Sequence, residues 1–112
     1  MSDYHSAIET YVLSCFGACT PPRVDELARH LHMHPAALSR RFRRATGRRL
    51  KAVLKERQIA EAKRLLASTC MTTRAVAHHA GFGTPNTLFR VFRHAVGITP
   101  EEWRSSADSP RE

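Results

Sequence analysis

No window of the 112-residue sequence approaches 18 apolar residues, so nothing in it is long enough to span a membrane. The opening residues Met1, Ser2, Asp3, Tyr4 and His5 hold neither a basic nor an apolar stretch, which excludes a secretory signal there. Cysteine is scarce: three residues, an odd number without a framework spacing, speak against a disulfide scaffold and fit a reducing cytosol. No stretch alternates over four or more β-branched or aromatic residues, so strands are not expected. There is no glycine-rich phosphate loop and no pair of acids at a catalytic spacing. No nucleophile or carboxylate accompanies His78, His79 and His94, which read as solvated residues or phosphate neighbours. An enzyme is therefore not expected, nor a cofactor.

Negative charge is also in short supply. Ten Asp and Glu stand against 18 Lys and Arg, a net charge of +8. The excess is concentrated: residues 40–64 hold eleven basic side chains against only Glu56 and Glu61. Such a field suits a polyanion, and the preponderance of arginine suits bidentate contact with phosphate or guanine. Double-stranded DNA is the expected partner, ahead of an anionic membrane.

The abundant signal is helical. Ala7, Ile8, Tyr11, Val12 and Cys15 are spaced for a helix over 4–16, with Gly17 as its stop. A short helix over 24–31 carries Asp25 and Glu26 in its first turn, where the macrodipole favours acids. Pro35 suits the first position of a helix closed by Gly47, and the longest stretch follows over 50–67. Thr72 or Thr73 opens a helix to Ala80, and Thr84-Pro85 caps another that ends at Gly97. Thr99, Pro100, Glu101 and Glu102 form a capping box before a last helix through Trp103. The expectation is an all-α fold of seven helices. Its parts would be an N-terminal helix (1–20), two helix-turn-helix units (21–49 and 69–104), a connecting helix (50–68) and a flexible tail (105–112).

The two units are copies. Displaced by fifty residues, Pro35, Leu38, Arg40, Phe42, Arg43, Ala45 and Gly47 fall on Pro85, Leu88, Arg90, Phe92, Arg93, Ala95 and Gly97, seven identities in thirteen positions. Leu27-Ala28 matches Val76-Ala77 if the second turn is one residue longer. On a helical wheel Leu38, Phe42 and Ala45 form an inward stripe, as do Leu88, Phe92 and Ala95. Ala36, Ser39, Arg40 and Arg43 face outward in the first copy, and Asn86, Arg90 and Arg93 in the second. Arginine reads guanine bidentately and asparagine reads adenine. A connecting helix of about 27 Å, with packing offsets, would place the two readers about one DNA turn apart, roughly 34 Å. One chain would then read two successive major grooves of an asymmetric site, with bending of the duplex costing on the order of a few kcal/mol.

Several of these residues together resemble the AraC/XylS family of bacterial transcription regulators. In the first unit they are Leu27-Ala28, Leu38 to Phe42 and Gly47; Ile59, Ala62, Leu65 and Leu66 follow. The second unit adds Val76-Ala77, Gly81-Phe82, Leu88 to Arg93, Gly97, Thr99-Pro100 and Trp103-Arg104. The resemblance implies a seven-helix domain with two helix-turn-helix motifs, usually an activator that contacts RNA polymerase. It also implies base reading by Ala36, Ser39 and Arg40 in the first unit, and by Pro85, Asn86, Thr87 and Arg90 in the second. Arg43, Arg44, Arg49, Thr84 and Arg93 are the expected phosphate contacts. The chain departs from the family pattern at Gln58 (commonly arginine), Phe89 (small or polar) and His34 (a serine cap). Only about 23 residues precede the match. The expectation is thus a stand-alone cytoplasmic, nucleoid-associated regulator, monomeric on DNA and controlled by its abundance.

Two alternatives accompany this reading. One is a non-specific or architectural DNA binder. The other is a metal- or thiol-responsive regulator using Cys15 and Cys19, four apart, with His30, His32 and His34 nearby. Against it, Cys15 reads as core and no second half of a zinc motif is present; no metal is expected. Trp103, Phe82 and Phe92 likewise read as core rather than as a ligand pocket.

Overall fold

The computed structural model describes residues 4–108. These form seven helices and no strand: α1 (Tyr4–Ala18), α2 (Val24–His30), α3 (Pro35–Thr46), α4 (Leu50–Ser68), α5 (Thr73–His79), α6 (Pro85–Val96) and α7 (Pro100–Asp108). None is long and apolar enough to cross a membrane.

Two hydrophobic cores are strung on α4. The first joins Ile8, Tyr11, Val12 and Cys15 of α1 with Leu27, Ala28, Leu38, Phe42, Leu50 and Leu54. The second joins Ile59, Ala62, Leu65 and Leu66 with Val76, Ala77, Ala80, Leu88 and Phe92. At 100° per residue, Leu50 and Leu54 lie about 110° around α4 from the mean direction of the other four. One helix thus offers its first half to one unit and its second half to the other, on different faces, and sets the angle between them.

The cap residues act as their chemistry requires. Thr84 Oγ1 accepts from Thr87 N (3.2 Å), and Thr99 and Glu102 close a reciprocal box at 2.8 and 3.1 Å. The backbone N–H of Thr99 holds the Glu102 carboxyl below its usual range. Gly47 and Gly97 end α3 and α6 in the left-handed conformation. Arg104 donates to the carbonyls of Leu66 (2.9 Å) and Thr69 (3.3 Å), a cation placed where the end of α4 leaves acceptors open. Beside it Trp103 donates Nε1 to Lys63 O (3.2 Å) and packs edge-on to Phe92, with Lys63 Nζ over its ring. Phe92 belongs to the second core, and Phe82 and Trp103 are partly buried against it.

Several expectations need correction. Gly17 does not stop α1; it lies inside the helix, which runs to Ala18 before Cys19 turns the chain at φ 59°. Ala45 and Ala95 are exposed, so the inward stripe of each long helix is its leucine and phenylalanine. In α6, Val91 and Val96 lean against the core in place of Ala95. Helix α7 continues to Asp108, through the start of the expected tail; residues 109–112 lie outside the described residues, as do residues 1–3 of the N-terminal helix segment.

The units meet where α5 turns towards α6. A Cβ added to Gly81 (φ +82°) would sit 2.7 Å from Thr20 O and 3.1 Å from Pro21 Cα, both backbone atoms. Gln58 Nε2 donates to Ala80 O at 3.0 Å, and Cys19 Sγ lies 3.6 Å from His79 Nδ1. Gly81→Ala is expected to destabilise the fold by about 1–3 kcal/mol, because a left-handed conformation and a backbone clash fall on one atom. Thermal unfolding measures this; an unchanged midpoint would mean that the contact between units is slack.

Candidate nucleic-acid interface

Each unit builds its outward helix from a shared frame. In the first, Met33 N donates to Ala28 O at 2.9 Å; in the second, Phe82 N donates to Ala77 O at 2.8 Å. The turns differ in length, residues 31–34 against 80–84, which accounts for the extra residue in the sequence repeat. His32 takes φ 56° in the shorter turn, where the longer one uses Gly81 and Gly83. Both outward helices, α3 and α6, are 12 residues long with proline at the first position and glycine at the last cap. His34, where the family pattern has serine, still caps α3: its Nδ1 accepts from Ala36 N at 3.2 Å.

The first frame is reinforced by Tyr11, whose hydroxyl donates to Glu26 Oε1 (2.6 Å) and accepts from Arg23 N (2.8 Å). Burial, and then the Glu26 carboxylate, push that phenol well above its usual range, so it remains a donor throughout the physiological range. It ties α1 to the start of α2 and so supports the face that carries α3.

On α3, Ala36, Arg40, Arg43 and Arg44 are exposed and Ser39 is half-buried. They line one open groove together with Arg49, Leu50 and Lys51. The structure therefore brings together every residue expected of the first reader. On α6, Asn86, Arg90 and Arg93 are exposed, with Pro85 and Thr87 half-buried at the leading turn. Thr84 Oγ1 donates to Thr87 Oγ1 (3.1 Å) while accepting from Thr87 N. Phe89, Arg90, Arg93 and His94 line a shallow depression on the same helix.

The arginines divide by task. Arg23, Arg48, Arg57 and Arg64 pair with Asp25, Glu56, Glu9 and Glu61. These pairs brace helices; Arg48 and Glu56, for example, join the start of α4 to the turn before it. Among the described residues, no ion pair engages Arg40, Arg43, Arg44, Arg49 or Arg90. Five guanidiniums without a carboxylate, on or beside two matching helices, form a surface complementary to a polyanion.

Sequence reasoning missed the junction of Cys19, Gln58, His79 and Gly81, whose members are distant along the chain. It placed Cys15 and Cys19 near His30, His32 and His34. Cys15 is in the core, Cys19 turns to His79, and no three His, Cys, Asp or Glu side chains among the described residues converge as a metal site would.

Comparison with known proteins gives the same architecture. A family model described as a helix-turn-helix domain matches residues 27–106. The chain is 29% identical over 85 residues to the arabinose operon regulatory protein of Escherichia coli, covering 76% of this chain and 29% of that protein. It is 33% identical over 84 residues to a helix-turn-helix-type transcriptional regulator of Mycobacterium tuberculosis, covering 75% of this chain and 32% of the relative. The chain thus spans about a third of the length of these curated relatives. Among solved structures, the DNA-binding domain of the global transcriptional factor AdpA, in complex with a target DNA, matches with a TM-score of 0.75 and 27% identity. That match covers 89% of this chain and 91% of the other. The C-terminal domain of a two-component response regulator from Fusobacterium nucleatum matches at TM-score 0.81 and 22% identity, over 92% and 99% of the two chains.

Proposed function

We propose that this chain, which belongs to the AraC-type helix-turn-helix family, is a sequence-specific DNA-binding transcription regulator reading two successive major grooves. The observation that carries this reading is the pair of equal helices, α3 and α6, each presenting an exposed arginine at the equivalent position, Arg40 and Arg90, outside any ion pair among the described residues. Ala36, Ser39 and Arg40 read bases in one groove, and Pro85, Asn86, Thr87 and Arg90 in the next. Arg40 and Arg90 suit guanine, Asn86 suits adenine, and Ala36 and the Pro85 ring offer only apolar contact, as to a thymine methyl. Arg43, Arg44, Arg49, Thr84 and Arg93 hold phosphates. The molecule is 44 Å in its longest dimension, longer than one turn of B-DNA at about 34 Å. That length is compatible with one chain spanning both grooves; action as a monomer on a promoter in the cytoplasm, with activation through RNA polymerase, is part of the same proposal. The relationship to the DNA-bound AdpA domain and to the operon regulators supports the assignment.

Titration of a selected duplex at rising salt tests it. Four arginines and one threonine on the phosphates predict a log–log slope near −4, since each neutralised phosphate contributes about −0.9 and the threonine little. A scrambled duplex should bind at least a thousand-fold more weakly at physiological salt, on the order of the usual specific-to-non-specific ratio. Equal affinity for both duplexes would leave a non-specific binder, and a flat slope would remove DNA as the partner.

A further inference from the structure

Phe89 is 41% exposed, one of two exposed large apolar side chains among the described residues. A single exposed aromatic residue is unremarkable by itself. What distinguishes this one is its place. Helices α3 and α6 have the same length, the same first-position proline and the same glycine cap, so a shift of fifty residues relates them position by position. Under that shift Arg40 falls on Arg90 and Ala36 on Asn86. Ser39, which belongs to the first reader, falls on Phe89.

The helix geometry agrees. Phe89 is three residues after Asn86 and four before Arg93, so the three side chains are neighbours on one side of α6. The depression that Phe89 lines is completed by Arg90, Arg93 and His94, with no other apolar side chain. A phenyl ring among hydrogen-bonding groups offers no hydrogen bond to a base edge. The apolar feature that the major groove presents is the C5-methyl group of thymine.

We infer that Phe89 is a specificity-determining residue of the second reader, packing on the C5-methyl group of a thymine next to the base pair that Arg90 reads. This inference rests on the proposed DNA-reading function and narrows it: the half-site under α6 contains a required 5-methylpyrimidine. The first half-site, met by Ser39, has no such requirement at the equivalent position.

The test is a binding series on a duplex selected by the purified protein, with each thymine of the α6 half-site replaced singly by deoxyuridine, which removes the methyl group alone. One replacement should weaken binding about four-fold, the worth of one buried methyl group. Phe89→Ala should bind the thymine and deoxyuridine duplexes equally, and 5-methylcytosine should be preferred to cytosine at that position by wild type only. Because Phe89 lies outside the core, the variant should keep the unfolding midpoint of wild type. A half-site without a thymine requirement beside the base pair read by Arg90, or a deoxyuridine penalty at that position that survives in Phe89→Ala, overturns the inference while leaving DNA reading intact; a penalty under Pro85, at a different position, is expected to survive. Failure of the wild-type protein to select any sequence overturns both.

Discussion

Phe92→Ala is expected to remove about 3–5 kcal/mol of stability, the usual cost of deleting a buried phenyl ring. Phe92 is 0% exposed and meets Trp103 edge-on with ring centroids 6.2 Å apart. Its loss removes the ring that packs between the second core and Trp103. The second core is small, four residues of α4 and five from α5 to α6. A loss of this size is a large fraction of the stability of a whole small domain. Unfolding should therefore begin in the second unit, and hydrogen exchange resolved by residue should show α5 and α6 losing protection before α1 to α3. Uniform loss of protection across both units would mean that the cores are coupled through α4 strongly enough to act as one. The counterpart Phe42→Ala should have the mirrored pattern, because Phe42 packs with Tyr4 and the first core and makes no contact with the second.

The largest expected effects on binding come from Arg40→Ala and Arg90→Ala. Each should cost about 1–3 kcal/mol in affinity for the selected site and relax base preference in its own half-site only. Both side chains are exposed and neither is engaged in an ion pair, so their truncation should leave the fold untouched. The two arginines belong to separate units with separate cores, so the double variant should lose close to the sum of the single losses. Competition assays against duplexes with one base changed read out both size and position. A weak loss, equal for all sequences, would demote both residues to phosphate contacts.

Helix ends were legible in the sequence wherever one local group decides them. Gly47 and Gly97 supply the left-handed caps, Thr84-Pro85 starts α6, and Thr99 with Glu102 starts α7; none of these depends on distant contacts. The outward faces of α3 and α6 were legible because a repeat of thirteen positions exposes which residues face inward. Position alone failed for Ala45 and Ala95, which are exposed; in α6 the core contact passes to Val91 and Val96 instead.

Features set by tertiary contact were hidden. Gly17 carries the composition of a stop, yet α1 continues because Ile8, Tyr11, Val12 and Cys15 are fixed against α2 and α3. His32 occupies a conformation that a sequence reader reserves for glycine. The junction between units joins Cys19 to His79 and Gln58 to Ala80, residues 60 and 22 apart along the chain. Gln58 looked like a departure from the family pattern; its bond to the end of α5 shows that the position keeps a donor. The division of the apolar residues of α4 between two cores, on two faces, is likewise a tertiary feature.

The mass of the complex on its selected duplex tests most directly whether one chain carries both readers. Native mass spectrometry or sedimentation equilibrium should find one chain per duplex, on an asymmetric site with two half-sites about one helical turn apart. Inserting about half a turn of DNA between the half-sites should then cost most of the affinity, because α4 fixes the angle between α3 and α6. Two chains on a palindrome would contradict the account, leaving one helix to read bases and the other to hold phosphates.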